Sequence, residues 1–414
     1  MKILNKSLYS ISKIRNNIIK TVATFFFIFS LIPWVNFGLN DLDSQPWSFI
    51  FAIFFLACLK KVTLPAYSSK IFIITIIGLC FTFIRTNSID IFNLLRTTIS
   101  YLSLPILYIS FYNYFIRYNF PLKLFVILNF LWIGFGFLQL FFPKIINFIV
   151  NSRNLDEIRG VSSLAPEPTF FAIYLFFSSW ILIEVKNLVI SNNIKMLLFI
   201  NFLTVTFLAK SSMVFLFYII VTSLFIILYF FYFFIDLKFS KKSMLSFIIY
   251  FIMLFIALKL FKNLLQDSRL IFLINQIVNS PLSILEIIKT DASINSRIES
   301  IYFSIIGSFK NYLLPGGIDT IVEMRSKILD STENSIFFNR YESNKIMSWI
   351  GSTIYEMGIF GIIIIIFFFK VIYRNFRGSL FYCATLFLFL LTAIPVAFPL
   401  IPMIFSLLVY NKKT

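Results

Sequence analysis

The chain alternates long apolar runs with short polar connections, and this pattern sets its fold class. Most runs are about 20 residues long, the length at which an α-helix crosses the hydrocarbon core of a bilayer. The runs lack the apolar–polar alternation that is typical of transmembrane β-strands. The pattern therefore predicts an all-α integral membrane protein with about twelve transmembrane helices.

The predicted spans divide the chain into three parts. Residues 1–262 form an N-terminal membrane domain of about nine spans, and residues 347–414 hold about three more. The first span follows a basic N-terminus; we expect it to be retained rather than cleaved as a signal peptide, because it is long and no A-x-A site follows. The others are predicted at residues 46–60, 69–85, 95–114, 121–142, 165–184, 193–209, 212–235, 243–262 and 347–369, with two short spans after Gly378.

One long polar segment, residues 263–346, separates the two membrane parts. It contains two apolar patches, at 270–278 and 296–309, and the second has apolar residues at helical spacing. A loop of this length is usually either functional or disordered, and this apolar content favours a folded one. We expect a small subdomain of short amphipathic helices at the membrane surface.

The basic residues predict the orientation. If Met1 is cytoplasmic, twenty Lys and Arg residues lie in cytoplasmic segments and six lie in the short loops on the other side. Short loops rich in Lys and Arg stay in the cytoplasm, so both termini are predicted to be cytoplasmic. Sixteen of the eighteen acidic residues then lie toward the periplasm, which is where we expect any chemistry to occur.

Composition narrows the function classes. A mean hydropathy of +0.90 and 13% charged residues agree with a membrane protein. The net charge of +18 does not predict a nucleic-acid partner, because most Lys and Arg residues orient the spans. The chain has no His, which excludes an imidazole base and His metal ligands. Cys58, Cys80 and Cys383 lie inside apolar runs, so neither a disulfide framework nor a metal site is predicted.

The first candidate for chemistry is the stretch RGVSSLAPEPTFFAIYL, residues 159–175, which contains Arg159 and Glu167. Prolines on both sides of Glu167 hold its carboxylate at a fixed helix entry. A partly desolvated carboxylate there could act as a base. The alternative is an ordinary helix start, where the positive end of the helix dipole favours an acidic residue.

Three further segments carry candidate ligand-binding groups. Lys210 and Ser211 lie in the short polar turn LAKSS, where the Lys either meets a phosphate or only extends to the membrane surface. Arg297, in the long segment, offers a planar cation suited to phosphate oxygens or is only a solvated charge. Gly316 and Gly317 follow Pro315 in a turn that lets backbone approach a ligand.

Glu356 is a secondary candidate. It lies within the apolar run WIGSTIYEMGIFGIIII, where a carboxylate is costly unless it faces a polar cavity or a partner. Gly358 and Gly361 follow it and allow close helix approach.

In this order these segments resemble the O-antigen polymerase and ligase superfamily. The resemblance rests on the Arg159 to Pro168 stretch, the LAKSS turn, R-x-E-S-x-Y-x-x-x-x-G-S-F with the following L-P-G-G, E-x-G-I-x-G-I after Ser348, and one large outer loop before the last spans. It covers roughly residues 155–375. It implies a GT-C-like glycosyltransferase architecture in the bacterial inner membrane, with the active face in the periplasm.

The resemblance also implies a function. Members of this superfamily use sugars carried on undecaprenyl pyrophosphate, and a Wzy-type polymerase transfers a growing glycan onto an incoming lipid-linked repeat unit. Arg159, Lys210, Ser211, Arg297, Gly316 and Gly317 would then bind the pyrophosphate. Glu167, Arg297 and Arg159 would be catalytic, with neither a metal nor another cofactor. A flippase and a chain-length regulator of the same pathway are possible partners.

Two other functions stay open. A ligase, which attaches finished polymer to an acceptor, is the first alternative; ligases of this superfamily carry a His in the large outer loop, and this chain has none. A lipid-linked oligosaccharide flippase is the second. It would predict two similar halves and deep central charges, and the sequence shows neither.

Overall fold

The fold is entirely helical in the part of the chain that the structure describes. The structure is a computed structural model that describes residues 2–36, 45–86, 91–143, 149–150, 160–185, 192–211, 213–214, 217–218, 221, 223–224, 289, 292–330, 346–375, 379–392 and 394–413. Its helices are α1 Lys2–Leu31, α2 Trp47–Cys58, α3 Ser68–Arg85, α4 Ile91–Tyr118, α5 Leu122–Phe141, α6 Pro168–Glu184, α7 Asn192–Leu203, α8 Ala292–Lys310, α9 Ile321–Leu329, α10 Trp349–Met357, α11 Ile359–Asn375, α12 Ser379–Leu391 and α13 Leu400–Lys413. The predicted all-α class is confirmed.

Several helices have the composition of membrane spans. Among the described residues, α3, α4 and α5 are long and apolar enough to cross a bilayer. Five shorter apolar helices accompany them, in α2, α6, α11, α13 and the run Asn192–Leu208. These helices indicate a helical membrane protein; the count of twelve spans and the GT-C architecture stay predictions.

Aromatic side chains from different helices fill the core. The ring of Phe26 on α1 lies 5.9 Å from that of Phe55 on α2 and 4.7 Å from that of Phe111 on α4. Between α5 and α6, Trp132 stacks on Tyr174 at 4.1 Å. Such rings bury a large apolar area and pack in offset or tilted pairs, which fixes the relative positions of the helices.

The first six helices run alternately up and down, which gives the bundle two ends. We call one the distal end; there α1, α3 and α5 finish and α2, α4 and α6 begin. Backbone hydrogen bonds join the described segments at this end: the Gln45 N–H donates to the Pro33 carbonyl, and the Asn36 N–H donates to the Ile149 carbonyl, both at 2.8 Å. The opposite, proximal end contains the end of α13, where the Asn411 side chain donates to the Glu184 carbonyl.

The run predicted as one span over residues 347–369 is instead a hairpin of two antiparallel helices. Helix α10 ends at Met357 and α11 begins at Ile359. The ring of Trp349, at the start of α10, lies 6.1 Å from that of Phe368 on α11. Nine residues of helix rise only about 13 Å, so α10 is too short to cross a bilayer.

Gly358 makes this reversal possible. Its φ of +58° favours glycine, and a Cβ at this position would lie 2.4 Å from the Leu313 carbonyl oxygen. The Ile359 N–H donates to that same oxygen at 2.7 Å. The hairpin tip therefore packs directly against the loop that follows α8.

We expect Gly358→Ala to lower the apparent melting temperature of the detergent-solubilised protein by a few degrees. The substitution adds backbone strain of about 1–3 kcal/mol and pushes the Leu313 carbonyl away. Gly134→Ala is the matched control, because a Cβ there meets no atom within 4 Å. The control should melt at or slightly above the wild-type temperature. Equal melting temperatures for Gly358→Ala and the wild type would contradict the described reversal.

Candidate functional site

The structure brings two of the predicted segments together at the distal end. The Val161 N–H donates to the Leu208 carbonyl at 2.9 Å. At Gly160, an added Cβ would lie 2.6 Å from the carbonyl oxygens of both Leu208 and Ala209. The segment that follows Arg159 therefore contacts the turn that carries Lys210. Arg159 itself lies outside the described residues.

A single glutamine of α5 holds the loop that leads to Glu167. The Gln139 side-chain oxygen accepts from the backbone N–H groups of both Ser162 and Ser163 at 2.8 Å. The Ser163 hydroxyl in turn donates to the Trp132 carbonyl. Because Gln139 and Trp132 belong to one rigid helix, they fix the approach to α6.

Glu167 occupies the N-cap position of α6, with Pro168 as the first helical residue. Its backbone is extended, with φ −144° and ψ 152°, as the flanking prolines predict. The carboxylate makes no capping hydrogen bond to the first turn, and the residue is half-buried. Its position matches a helix start, and its catalytic role stays a prediction.

Lys210 is exposed and adopts a left-handed conformation with φ +46°. Ser211 is buried, and its hydroxyl accepts from the Val214 N–H at 3.5 Å. A π-helical turn, Thr204–Leu208, precedes this pair. Such turns are frequent at functional sites, and here the turn ends α7 against the Gly160 loop.

The two glycines after Pro315 pack against neighbouring helices. The Gly316 N–H donates to the Tyr355 carbonyl of α10 at 2.8 Å. At Gly317, a Cβ would lie 3.0 Å from the Arg85 carbonyl at the end of α3. The Gly316 amide is therefore hydrogen-bonded to α10. The two glycines allow the loop to pack closely against α10 and the end of α3. Ligand binding by their backbone stays a prediction.

The loop before α9 also forms one wall of a polar cavity of about 160 Å³ around Glu356. The cavity is lined by the start of α2, by α4, by the loop before α9, by α10 and by the turn 394–397. Its charged lining residues are Arg96, Asp319 and Glu356. A carboxylate in this apolar run was expected to need a polar cavity or a partner, and the structure provides both.

Hydrogen bonds fix the carboxylates of this cavity. The Tyr101 hydroxyl donates to Glu356 Oε2 at 2.8 Å. The Asn93 side chain donates to Asp319 Oδ2 at 2.9 Å. Asp319 and Arg96 both interact electrostatically with Glu356, the first repelling and the second attracting its negative charge. The cavity therefore holds two carboxylates and one guanidinium.

Arg297 lies on α8, which packs against α10 and α9. Ser308 of α8 donates to the Ile354 carbonyl of α10 at 3.2 Å. A buried ion pair joins α8 to α9, with Arg325 Nε 3.1 Å from Glu299 Oε1 and only 1% of the Glu299 side chain exposed. Burial raises the pKa of the Glu299 carboxyl above its ordinary value, and the Arg325 charge partly opposes this. Neither Arg297 nor Lys210 lines the Glu356 cavity.

Tyr101, Arg96, Asn93 and Asp319 were not predicted as site residues. The charge pattern marks Arg96 only as a residue that orients the chain, and nothing near Tyr101 distinguishes it from the other eighteen tyrosines of the sequence. The sequence does contain a feature that points to Asp319, because this residue follows the L-P-G-G turn by two positions. Within the described residues, no group of three or more Cys, Asp or Glu side chains is arranged to hold a metal ion.

No family model, no curated protein and no solved structure matches this chain.

We expect Arg325→Gln to destabilise the protein and to make its stability more dependent on pH. Removing one partner of a buried ion pair costs about 3–5 kcal/mol. Glu299 already binds its proton more tightly in the folded protein, so stability falls as the pH rises above the ordinary carboxyl pKa of 4.5. Without Arg325 this fall should be larger, and it is measured as melting temperature between pH 4.5 and 8.

The double variant Glu299→Gln/Arg325→Gln is the control for this prediction, because it lacks the buried carboxyl. Its pH dependence should be smaller than that of Arg325→Gln. If Arg325→Gln instead follows the wild-type pH profile, the ion pair does not control the ionisation of Glu299.

Proposed function

We propose that this protein is a membrane-embedded glycosyltransferase that polymerises undecaprenyl-pyrophosphate-linked oligosaccharide repeat units into O-antigen or a related surface polysaccharide. The sequence resemblance supports this function. The structural observation that supports it best is the cavity around Glu356, where a half-buried carboxylate accepts a hydrogen bond from the Tyr101 hydroxyl, with Arg96 and Asp319 in the same lining.

The reaction needs two kinds of group. A hydroxyl of the acceptor sugar loses its proton to a carboxylate while its oxygen bonds to the anomeric carbon of the donor glycan. The bond from that carbon to the lipid pyrophosphate breaks, and the electron pair leaves on the phosphate oxygen. Cations near the membrane surface stabilise this leaving group. The protein needs no oxidant, reductant or further reactant for this exchange.

The candidate residues include both kinds of group. Glu167 and Glu356 are the carboxylates that could accept the proton. Lys210, Arg297 and Arg159 are the proposed cations, with the Ser211 hydroxyl beside Lys210. The side chain of Trp34 lies between the two regions, since its ring is 5.5 Å from both Phe170, one turn after Glu167, and Phe398, beside the cavity turn 394–397.

This function assigns an orientation to the bundle. The distal end would face the periplasm, where lipid-linked repeat units are presented, and both termini would lie in the cytoplasm. The excess of Lys and Arg in the segments at the proximal end supports this orientation. The protein would then act in the bacterial inner membrane.

We expect inactivation of the gene to leave the surface acceptor capped with single repeat units. Neither Arg297→Ala nor Glu167→Gln should restore long polymer, because the first removes a cation and the second removes the charge of a carboxylate. Glu184→Gln is the matched control: it changes a glutamate at the proximal end of the same helix as Glu167 and should complement fully. Gel and mass profiles of surface and lipid-linked glycan measure the outcome.

Other glycan profiles would assign a different function. Long polymer that stays on undecaprenyl pyrophosphate and never reaches its carrier would identify a ligase. Single repeats trapped on the cytoplasmic side would identify a flippase. Either profile contradicts the polymerase.

A further inference from the structure

We infer that the Glu356 cavity is the subsite for the acceptor sugar, with Glu356 as the base and Asp319 as a second ligand for sugar hydroxyls. This inference rests on the proposed function and adds to it a place for one of the two substrates. It also assigns roles to Tyr101, Arg96 and Asp319, which the sequence motifs do not mark.

The charged groups that line the cavity favour a neutral ligand over an anionic one. Two carboxyl groups, Glu356 and Asp319, line the cavity together with one guanidinium, Arg96, so the lining carries no excess of positive charge. A pyrophosphate carries several negative charges, and one guanidinium beside two carboxyl groups does not neutralise them. A neutral sugar is suited to it, because each hydroxyl can donate to a carboxylate oxygen and accept from a guanidinium or hydroxyl group. The exposed Lys210 turn, outside this cavity, is better suited to the leaving group.

The cavity lies at the distal end and is larger than a water site. Loop residues such as Gln45, Pro46 and Val396 form part of its wall, and these loops lie at the distal end of the bundle. Its volume of about 160 Å³ is far greater than the ~10–15 Å³ that one water molecule needs. The walls combine polar groups with apolar ones, as small-molecule sites do.

Contacts within the protein hold Glu356 in place. The Tyr101 hydroxyl fixes its carboxylate, and the Thr82 hydroxyl donates to its backbone carbonyl at 2.9 Å. Tyr101 is 2% exposed on α4, so its ring cannot move far. A base positioned by a rigid scaffold loses little entropy in the reaction. Tyr101 is therefore a positioning residue, which acts on the substrate through Glu356.

A similar arrangement holds Asp319. Its backbone adopts the left-handed conformation with φ +57°, and the Asn93 side chain of α4 binds one of its carboxylate oxygens. The preceding Ile318 N–H donates to the Thr86 hydroxyl at 3.2 Å. Backbone strain kept by several surrounding contacts is common at ligand sites.

The first test measures binding without turnover. The protein in lipid nanodiscs is treated with dicyclohexylcarbodiimide, and labelling of Glu356 is followed by peptide mass. Repeat-unit oligosaccharide released from its lipid and free of phosphate should slow this labelling several-fold, whereas inorganic pyrophosphate should not. Labelling of Glu184, the control carboxyl at the proximal end, should be unaffected by both. Protection of Glu356 by pyrophosphate alone, or by neither compound, would overturn the inference.

The second test measures kinetics with the free oligosaccharide as acceptor. Glu356→Gln should lower kcat by roughly 10²–10⁴-fold, the usual contribution of a general base. Asp319→Asn should raise the acceptor KM with a smaller effect on kcat and on the donor KM. Tyr101→Phe should lower kcat less than Glu356→Gln does, with the acceptor KM nearly unchanged. A merely structural role would instead change all these parameters together with the melting temperature.

The two proposals fail in different ways. If the wild type forms polymer, and Glu356→Gln and Asp319→Asn form it at the wild-type rate, the acceptor subsite is wrong and the polymerase stands. If the wild type forms no polymer from lipid-linked units but the oligosaccharide still protects Glu356, the cavity binds sugar and the polymerase function is wrong.

Discussion

The candidate site depends on the contact between the α10–α11 reversal and the loop that leads to α9. Two backbone hydrogen bonds form this contact, from Ile359 to Leu313 at 2.7 Å and from Gly316 to Tyr355 at 2.8 Å. Gly358 permits it, since a side chain there would collide with the Leu313 carbonyl. Through this contact the loop before α9, which is far from α4 in sequence, places Asp319 in the cavity where Tyr101 binds Glu356. Helix α8, which carries Arg297, packs against the same hairpin.

The two regions of the distal end have complementary character. Lys210 is an exposed cation, and Gln139 fixes the loop before Glu167 beside the turn that carries it. The Glu356 cavity is recessed and has an excess of carboxylates. A glycosyl transfer from a lipid pyrophosphate needs such a division, because the leaving group is an anion and the attacking group is a neutral hydroxyl that gives up a proton.

Much of the fold could be predicted from the sequence, because apolar runs of sufficient length have few alternatives to a helix in a bilayer. The polar turn at Lys210 and the helix start at Glu167 follow from local signals that short stretches carry. The reversal at Gly358 was missed, because hydropathy averages over a run and does not register a single glycine with positive φ. A span and a hairpin then give the same profile.

The site could be predicted only in part, for the same physical reason. Glu356 is visible in the sequence because a carboxylate in an apolar run needs a polar partner. Its partner, Tyr101, lies 255 positions away, and only the packing of α10 against its neighbours brings the two together. Asp319 and Asn93 likewise meet across 226 positions. Contacts at such separations leave no local pattern, so composition and spacing cannot predict them.

A cryo-electron-microscopy map of the protein in nanodiscs with its lipid-linked repeat unit would test the account most directly. We predict sugar density in the cavity, within hydrogen-bonding distance of Glu356 and Asp319, and pyrophosphate density outside the cavity, on the side of the Lys210 turn. Pyrophosphate density inside the cavity, in contact with Arg96, would contradict it.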